Sequence, residues 1–190
     1  MTRQELKDLL TTEREFYFPN ATLGTLWSAK HLYKKRYLIW RCLESFRLAQ
    51  YWSGYARKKG GMLCKVFGKL LQRHYFRLQN YYGALAGVQI SPNAQVGRCP
   101  EICHGGVVIN GTLGEYCILH GNNIIGNKGR GREKETPVIG NRVDLGAGAV
   151  VIGEITIADN CKIGANAVVT KDFTTPGSIL IGVPAKEISK

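Results

Sequence analysis

Residues 137–172 read PVIGNRVDLGAGAVVIGEITIADNCKIGANAVVTKD, and their spacing decides the fold. Ile139, Leu145, Val151, Ile157, Ile163 and Val169 recur every six residues. Gly140, Gly146 and Gly164 follow the aliphatic residue, and Ala149 and Ala167 stand four positions after it. A period of six with glycine marks a β-solenoid in which each hexad supplies a short strand and a turn, and three hexads close one triangular coil. Each aliphatic residue then stacks on its equivalent one coil on: Ile139 on Ile157, Leu145 on Ile163, Val151 on Val169. Such ladders stabilise by roughly 1.5–3 kcal/mol per fully buried side chain. The glycine is expected to supply a turn conformation that other residues reach only with strain. The small residue is expected where a corner leaves little room. An ordinary β-sandwich would instead alternate with period two, with turns every roughly 8–12 residues.

The same pattern extends toward the N-terminus. Ile90, Val96 and Ile102 are six apart and Val108 continues the series; Leu113, Leu119 and Ile125 form another, displaced by one residue. Gly97, Gly114 and Gly126 fall in step. The phase breaks at 103–112, around His104-Gly105-Gly106, and again between Ile125 and Ile139, where KGRGREKETP (128–137) enlarges one corner. Insertions at a solenoid corner mark the side on which binding commonly occurs. The repeats occupy 89–190. Residues 1–88 read as an α-helical N-terminal region. A short helix is expected over Arg3–Phe16, closed by Pro19. A second is expected over Leu23–Tyr55, with Leu32, Ile39, Leu43 and Phe46 at helical spacing. A third is expected over Met62–Tyr82, with Leu63, Val66, Phe67, Leu70 and Leu71 on one side.

Charge divides at the same place. The chain of 190 residues nets +12. Residues 1–88 carry 16 basic and 5 acidic residues, whereas 89–190 carry 10 and 9. The basic half is expected to face something anionic or to be a solvated face. No nucleic-acid motif accompanies it. Aromatic residues lie among its cations, including Trp27, Tyr33, Tyr37, Trp40, Tyr51 and Trp52. That mixture suits the headgroup level of an anionic membrane. No apolar run is long enough to span a bilayer, and the N-terminus has no apolar segment of a secretory signal. The six cysteines form no C-x-x-C pair, so a metal site is not expected and reduced thiols in a cytoplasmic protein are.

These segments resemble the hexapeptide-repeat acyltransferases, and among them the serine acetyltransferases and their capsular-polysaccharide O-acetyltransferase relatives. The resemblance rests on ISPNAQVG (90–97), ICHGGVVIN (102–110), YCILHGNNIIGN (116–127), the stretch quoted above and IGVPAKEI (181–188). It implies a left-handed parallel β-helix, a handedness taken from the resemblance alone because crossover connections are ordinarily right-handed. It implies an acetyl-CoA-dependent O-acetyltransferase working as a homotrimer. His104 matches the family's catalytic histidine, which takes the acceptor hydroxyl's proton while the oxygen attacks the thioester. His120 matches a position near the site on the next coil. Ala147 and Ala165 match turns beside the pantetheine arm, and Lys171 and Lys186 match basic positions near the ADP phosphates.

The chain also departs from the serine acetyltransferase pattern. The Asp-x-His-Pro segment that orients the histidine there is Gln89-Ile90-Ser91-Pro92 here. The residue before the histidine is Cys103 rather than Asp, and the serine-contacting Arg-His-Pro is Glu135-Thr136-Pro137. Glu101 is then the nearest acid for orienting His104. On these departures a saccharide hydroxyl, as in a cell-surface polysaccharide or its precursor, is the expected acceptor. Serine, as in cysteine biosynthesis, is the alternative.

Overall fold

The computed structural model describes residues 1–20, 22, 34–58 and 61–188. The chain divides into two compact units, Met1–Val88 and Gln89–Lys190.

In the first unit, helix α1 (Arg3–Tyr17) starts at a capping box, in which Thr2 accepts from the Glu5 amide and Glu5 accepts from the Thr2 amide. Helix α2 (Lys34–Lys58) buries Ile39, Leu43 and Phe46, as their spacing predicts. Residues 23–33, with Trp27, Leu32 and Tyr33, lie outside the described residues. Arg47 of α2 donates to Glu13 of α1 at 2.7 Å, with both side chains buried. Each of these charges is tolerated in the interior because the other neutralises it. Helix α3 (Met62–Ala86) ends at Gly87, in the left-handed conformation at φ 71°. It packs on α2 through small residues, because a Cβ on Gly68 would come within 2.9 Å of the Ala56 Cβ. The apolar stripe read from the sequence is not the buried face. Leu63 is 86% exposed, and Val66, Phe67 and Leu70 are exposed as well.

The second unit is a left-handed parallel β-helix of about five turns. Its first sheet is β1 (Val88–Ile90), β4 (Val107–Ile109), β7 (Ile124–Gly126), β10 (Val150–Ile152) and β13 (Val168–Val169). The second is β2 (Gln95–Val96), β5 (Thr112–Leu113), β8 (Val138–Ile139) and β11 (Thr156–Ile157). The third is β3 (Glu101–Ile102), β6 (Ile118–Leu119), β9 (Asp144–Leu145), β12 (Lys162–Ile163), β14 (Ile179–Ile181) and β15 (Lys186–Ile188). The last strand turns back antiparallel to close the solenoid. The ladders pair as the period requires: Ile139 with Ile157, Leu145 with Ile163 and Val151 with Val169.

Two expectations change. Val108 does not point inward; Val107 and Ile109 do, at 1% and 0% exposure, and Ile109 is the partner of Ile125. The corner after Ile102 holds an extra residue, and the next corner, at Asn110-Gly111, is short. The glycines after the aliphatic residues also act differently from the expectation. None of Gly97, Gly114, Gly140, Gly146 and Gly164 has a positive φ. The left-handed position lies three residues after the aliphatic residue, at Tyr116, Asn122, Arg142, Gly148, Asn160 and Asn166. Glycine follows the aliphatic residue because the coils touch there. A Cβ on Gly97 would lie 2.5 Å from the Glu115 nitrogen, and one on Gly146 would lie 2.6 Å from the Ala165 nitrogen. The small residues behave as expected, with Ala149 and Ala167 fully enclosed.

Candidate active site

The edge where the third sheet passes into the first collects most of the residues singled out above. Its corners stack through backbone hydrogen bonds that cross from coil to coil. The amide of Asn122 donates to Gly105 at 2.9 Å, that of Gly148 to Gly121 at 2.8 Å and that of Asn166 to Ala147 at 2.9 Å. His104, His120, Ala147 and Ala165 therefore stand in order along one edge, on four successive coils. All four are exposed. Inside the same edge, Asn123 is wholly buried; it accepts from the Gly121 amide at 2.8 Å and donates to the Gly146 carbonyl at 2.8 Å. It occupies the small-residue position of its hexad, and as an isolated Asn it gave no sequence signal.

His104 packs against the next coil, where a Cβ on Gly121 would sit 2.6 Å from the His104 Cβ. Gly106, at φ 80°, is required twice over, by that angle and because a Cβ there would overlap the Asn122 side chain. Glu101 and Cys103 lie on the outer face of β3 and its continuation. No hydrogen bond joins Glu101 to His104 among the described residues, so the expected orienting contact is not formed. The acid that engages a histidine is Asp144, which the sequence reading missed. Its Oδ1 lies 2.9 Å from Nε2 of His120. Asp144 pairs with Ile118 across the ladder, which places it diagonally opposite His120. The enlarged corner at 128–137 separates the two in sequence, so the regular hexad spacing does not align them. Burial, then the charges of Glu101 and Asp144, push the Cys103 thiol up.

The basic pair expected near phosphates is split. Lys186 pairs with Ile181 at the far end of this edge, and the neighbouring amide of Ala185 donates to Val168 at 2.8 Å. Lys171 follows Val169 on the first sheet and so belongs to the next edge, where its Nζ lies 5.4 Å from the Phe173 ring centroid. The 128–137 insertion stands on that second edge too. Among the described residues, no three His, Cys, Asp or Glu side chains converge as metal ligands.

Residues 136–171 match the family model of the bacterial transferase hexapeptide (six repeats). A serine acetyltransferase of Helicobacter pylori is 44% identical over 137 residues, spanning 68% of this chain and 80% of that protein. Its counterpart in a second strain is 43% identical over the same length. The chain belongs to the serine acetyltransferase family of hexapeptide-repeat acyltransferases. Among solved structures, the serine acetyltransferase of Neisseria gonorrhoeae superposes with a TM-score of 0.70 at 27% identity, over 98% of this chain and 68% of that one. This acetyltransferase is accordingly an acetyl-CoA-dependent O-acetyltransferase. The expected saccharide acceptor is overturned by the same findings, because these relatives are serine acetyltransferases. That expectation rested on three short segments, and the likeness extends over 137 residues.

Proposed function

We propose that the protein is a serine O-acetyltransferase, transferring the acetyl group of acetyl-CoA to the hydroxyl of L-serine. The observation that carries this reading is the 44% identity over 80% of a serine acetyltransferase. His104 is the general base. Its imidazole takes the hydroxyl proton as the serine oxygen bonds to the acetyl carbon, and it returns the proton to the sulfur as the C–S bond breaks. The products are O-acetylserine and the free thiol of CoA. Backbone N–H groups at the corners stabilise the oxyanion between these steps. The donor fits along the edge beyond His104, where Ala147 and Ala165 present nothing larger than a methyl group and Lys186 supplies a positive charge at the far end. Acetyl transfer is direct. Cys103 is the thiol beside His104, and its environment holds the proton on and disfavours the thiolate that a covalent acetyl-cysteine would need.

The active assembly is a homotrimer, the arrangement expected of this family. We place the helical unit against an anionic membrane surface. Helix α3 exposes Met62, Leu63, Val66, Phe67 and Leu70, and its charged residues are Lys65, Lys69, Arg73 and Arg77, with no acid among them. An anionic lipid surface complements both the stripe and the charge, whereas a second copy of the helix would set like charges against each other.

The deciding experiment is a thiol-release assay with acetyl-CoA and L-serine. Turnover is expected, and His104→Ala is expected to lower kcat by about 10²–10⁴, the usual worth of a positioned general base, with little change in acetyl-CoA affinity. No turnover of serine by the intact protein would overturn the reading.

A further inference from the structure

The segments that hold serine in the resembling enzymes are replaced in this chain, yet an amino-acid acceptor must be held beside His104 by something. The structure offers one pair of side chains there that no other role absorbs. His120 and Asp144 are joined at 2.9 Å, and both are partly exposed, at 46% and 36% of the side chain. His120 adjoins Gly121, whose Cα packs against the His104 side chain. Asp144 also raises the pKa of Cys103, the residue next to His104, which places its charge within electrostatic reach of the same corner.

The chemistry of the pair is fixed by its geometry. A carboxylate only accepts hydrogen bonds, so Nε2 of His120 carries the hydrogen toward Asp144. In the neutral ring, Nδ1 is then left with a lone pair. Asp144 spends one oxygen, Oδ1, on this contact. The pair thus presents a fixed hydrogen-bond acceptor and a negative charge. Of the groups on serine, the hydroxyl belongs to His104 and the carboxylate is repelled by Asp144. The α-ammonium is the group that a nitrogen lone pair accepts from while the Asp144 charge, on the other side of the ring, favours a cation there.

We propose that the His120–Asp144 pair is the subsite for the α-ammonium of the acceptor, with Asp144 positioning His120 as well as supplying charge. This rests on the reading of the protein as a serine acetyltransferase. It differs from a role for His120 in moving the proton, because it acts on binding rather than on chemistry.

The test measures steady-state kinetics of the intact protein with L-serine and with 3-hydroxypropionate, which keeps the hydroxyl and carboxylate but lacks the ammonium. His120→Ala and Asp144→Leu are expected to raise KM for serine about 10- to 100-fold, the range for losing a charge-assisted hydrogen bond. Acetyl-CoA KM and kcat should stay within a few-fold. Turnover of 3-hydroxypropionate should not fall, and should rise where the Asp144 charge that repels its carboxylate is removed, so the preference for serine collapses. Asp144→Asn keeps an oxygen that can accept from Nε2 but removes the charge, and should fall between wild type and Asp144→Leu. A fall in kcat at unchanged serine KM, or equal losses for both acceptors, would overturn the proposal. Nitrogen-15 NMR of the histidine rings reads the positioning separately: the Nε2–H tautomer at His120 is expected, and an Nδ1–H tautomer in the wild type would overturn it. Absence of any serine turnover in the wild type, with the Nε2–H tautomer present, would count against the proposed function and the ammonium as ligand while upholding the contact.

Discussion

At the scale of single residues, a glycine in this solenoid is informative only through what stands opposite it. Gly97 and Gly126 occupy the same place in their hexads, and neither has a positive φ. A Cβ on Gly97 would meet the backbone of the next coil at 2.5 Å, whereas one on Gly126 would come no nearer than 4.0 Å, to the Asn110 side chain. Gly97→Ala is therefore expected to cost about 1–3 kcal/mol, as overpacking does, and Gly126→Ala to be nearly neutral. Thermal unfolding of the two variants checks this. Equal losses would mean that turn conformation, not coil contact, selects glycine. The sequence could not separate the two cases, because the clash depends on which backbone the next coil brings alongside. His104 stands out in the sequence because it falls in a break of the regular period and matches the family's catalytic histidine. Asp144 was not, because its partner lies across the enlarged corner, 24 residues away in sequence. Glu101 is the acid nearest His104 in sequence, but the strand sets it on the outer face of the sheet and no hydrogen bond joins the two among the described residues.

At the scale of elements, the ladders of the β-helix were readable wherever the period held, since a side-chain register of six leaves one inward residue per strand. The expected register slips by one residue at Val108, where one corner gains a residue and the next loses two, because the net displacement of one seen at Leu113 does not say at which corner the change falls. In the helices, spacing marks the buried face of α2 but not that of α3. Helix α3 has an apolar stripe at helical spacing, yet it packs through Gly68, Gln79, Gly83 and Ala86. Small residues let two helices approach closely, and no hydrophobicity pattern marks them. The exposed stripe gives the membrane proposal its test. The protein is expected to sediment with vesicles containing anionic lipid, less so at high salt, with each basic residue near the surface worth about 1 kcal/mol. Replacing Leu63 and Phe67 with Ser, or Lys65 and Lys69 with Gln, should weaken sedimentation while leaving acetyl transfer in solution unchanged. Equal partitioning of all three proteins to the supernatant at low salt would remove the membrane from the account.

At the scale of the whole molecule, the fold brings the residues proposed for catalysis and donor binding to one edge. Three sheets of parallel strands give three edges, and coil-to-coil hydrogen bonds carry His104, His120, Ala147 and Ala165 into a single file along one of them. Lys171 shows the limit of matching residues one at a time, since the coil returns it to a different edge from Lys186. The proposed homotrimer predicts a mass near three times the 21.1 kDa chain in light scattering, and a fully active monomer would contradict the proposal. The acceptor was the part of the function least legible in the sequence, because it was inferred from motifs that are missing and not from residues that are present. The most direct test of the account is the release of CoA thiol from acetyl-CoA with L-serine as acceptor, measured for the wild type and for His104→Ala. Serine-dependent release with O-acetylserine as product is expected in the wild type, and a loss of about 10²–10⁴ in kcat for the variant. Thiol release that does not depend on serine, or a His104→Ala protein as active as the wild type, would contradict it.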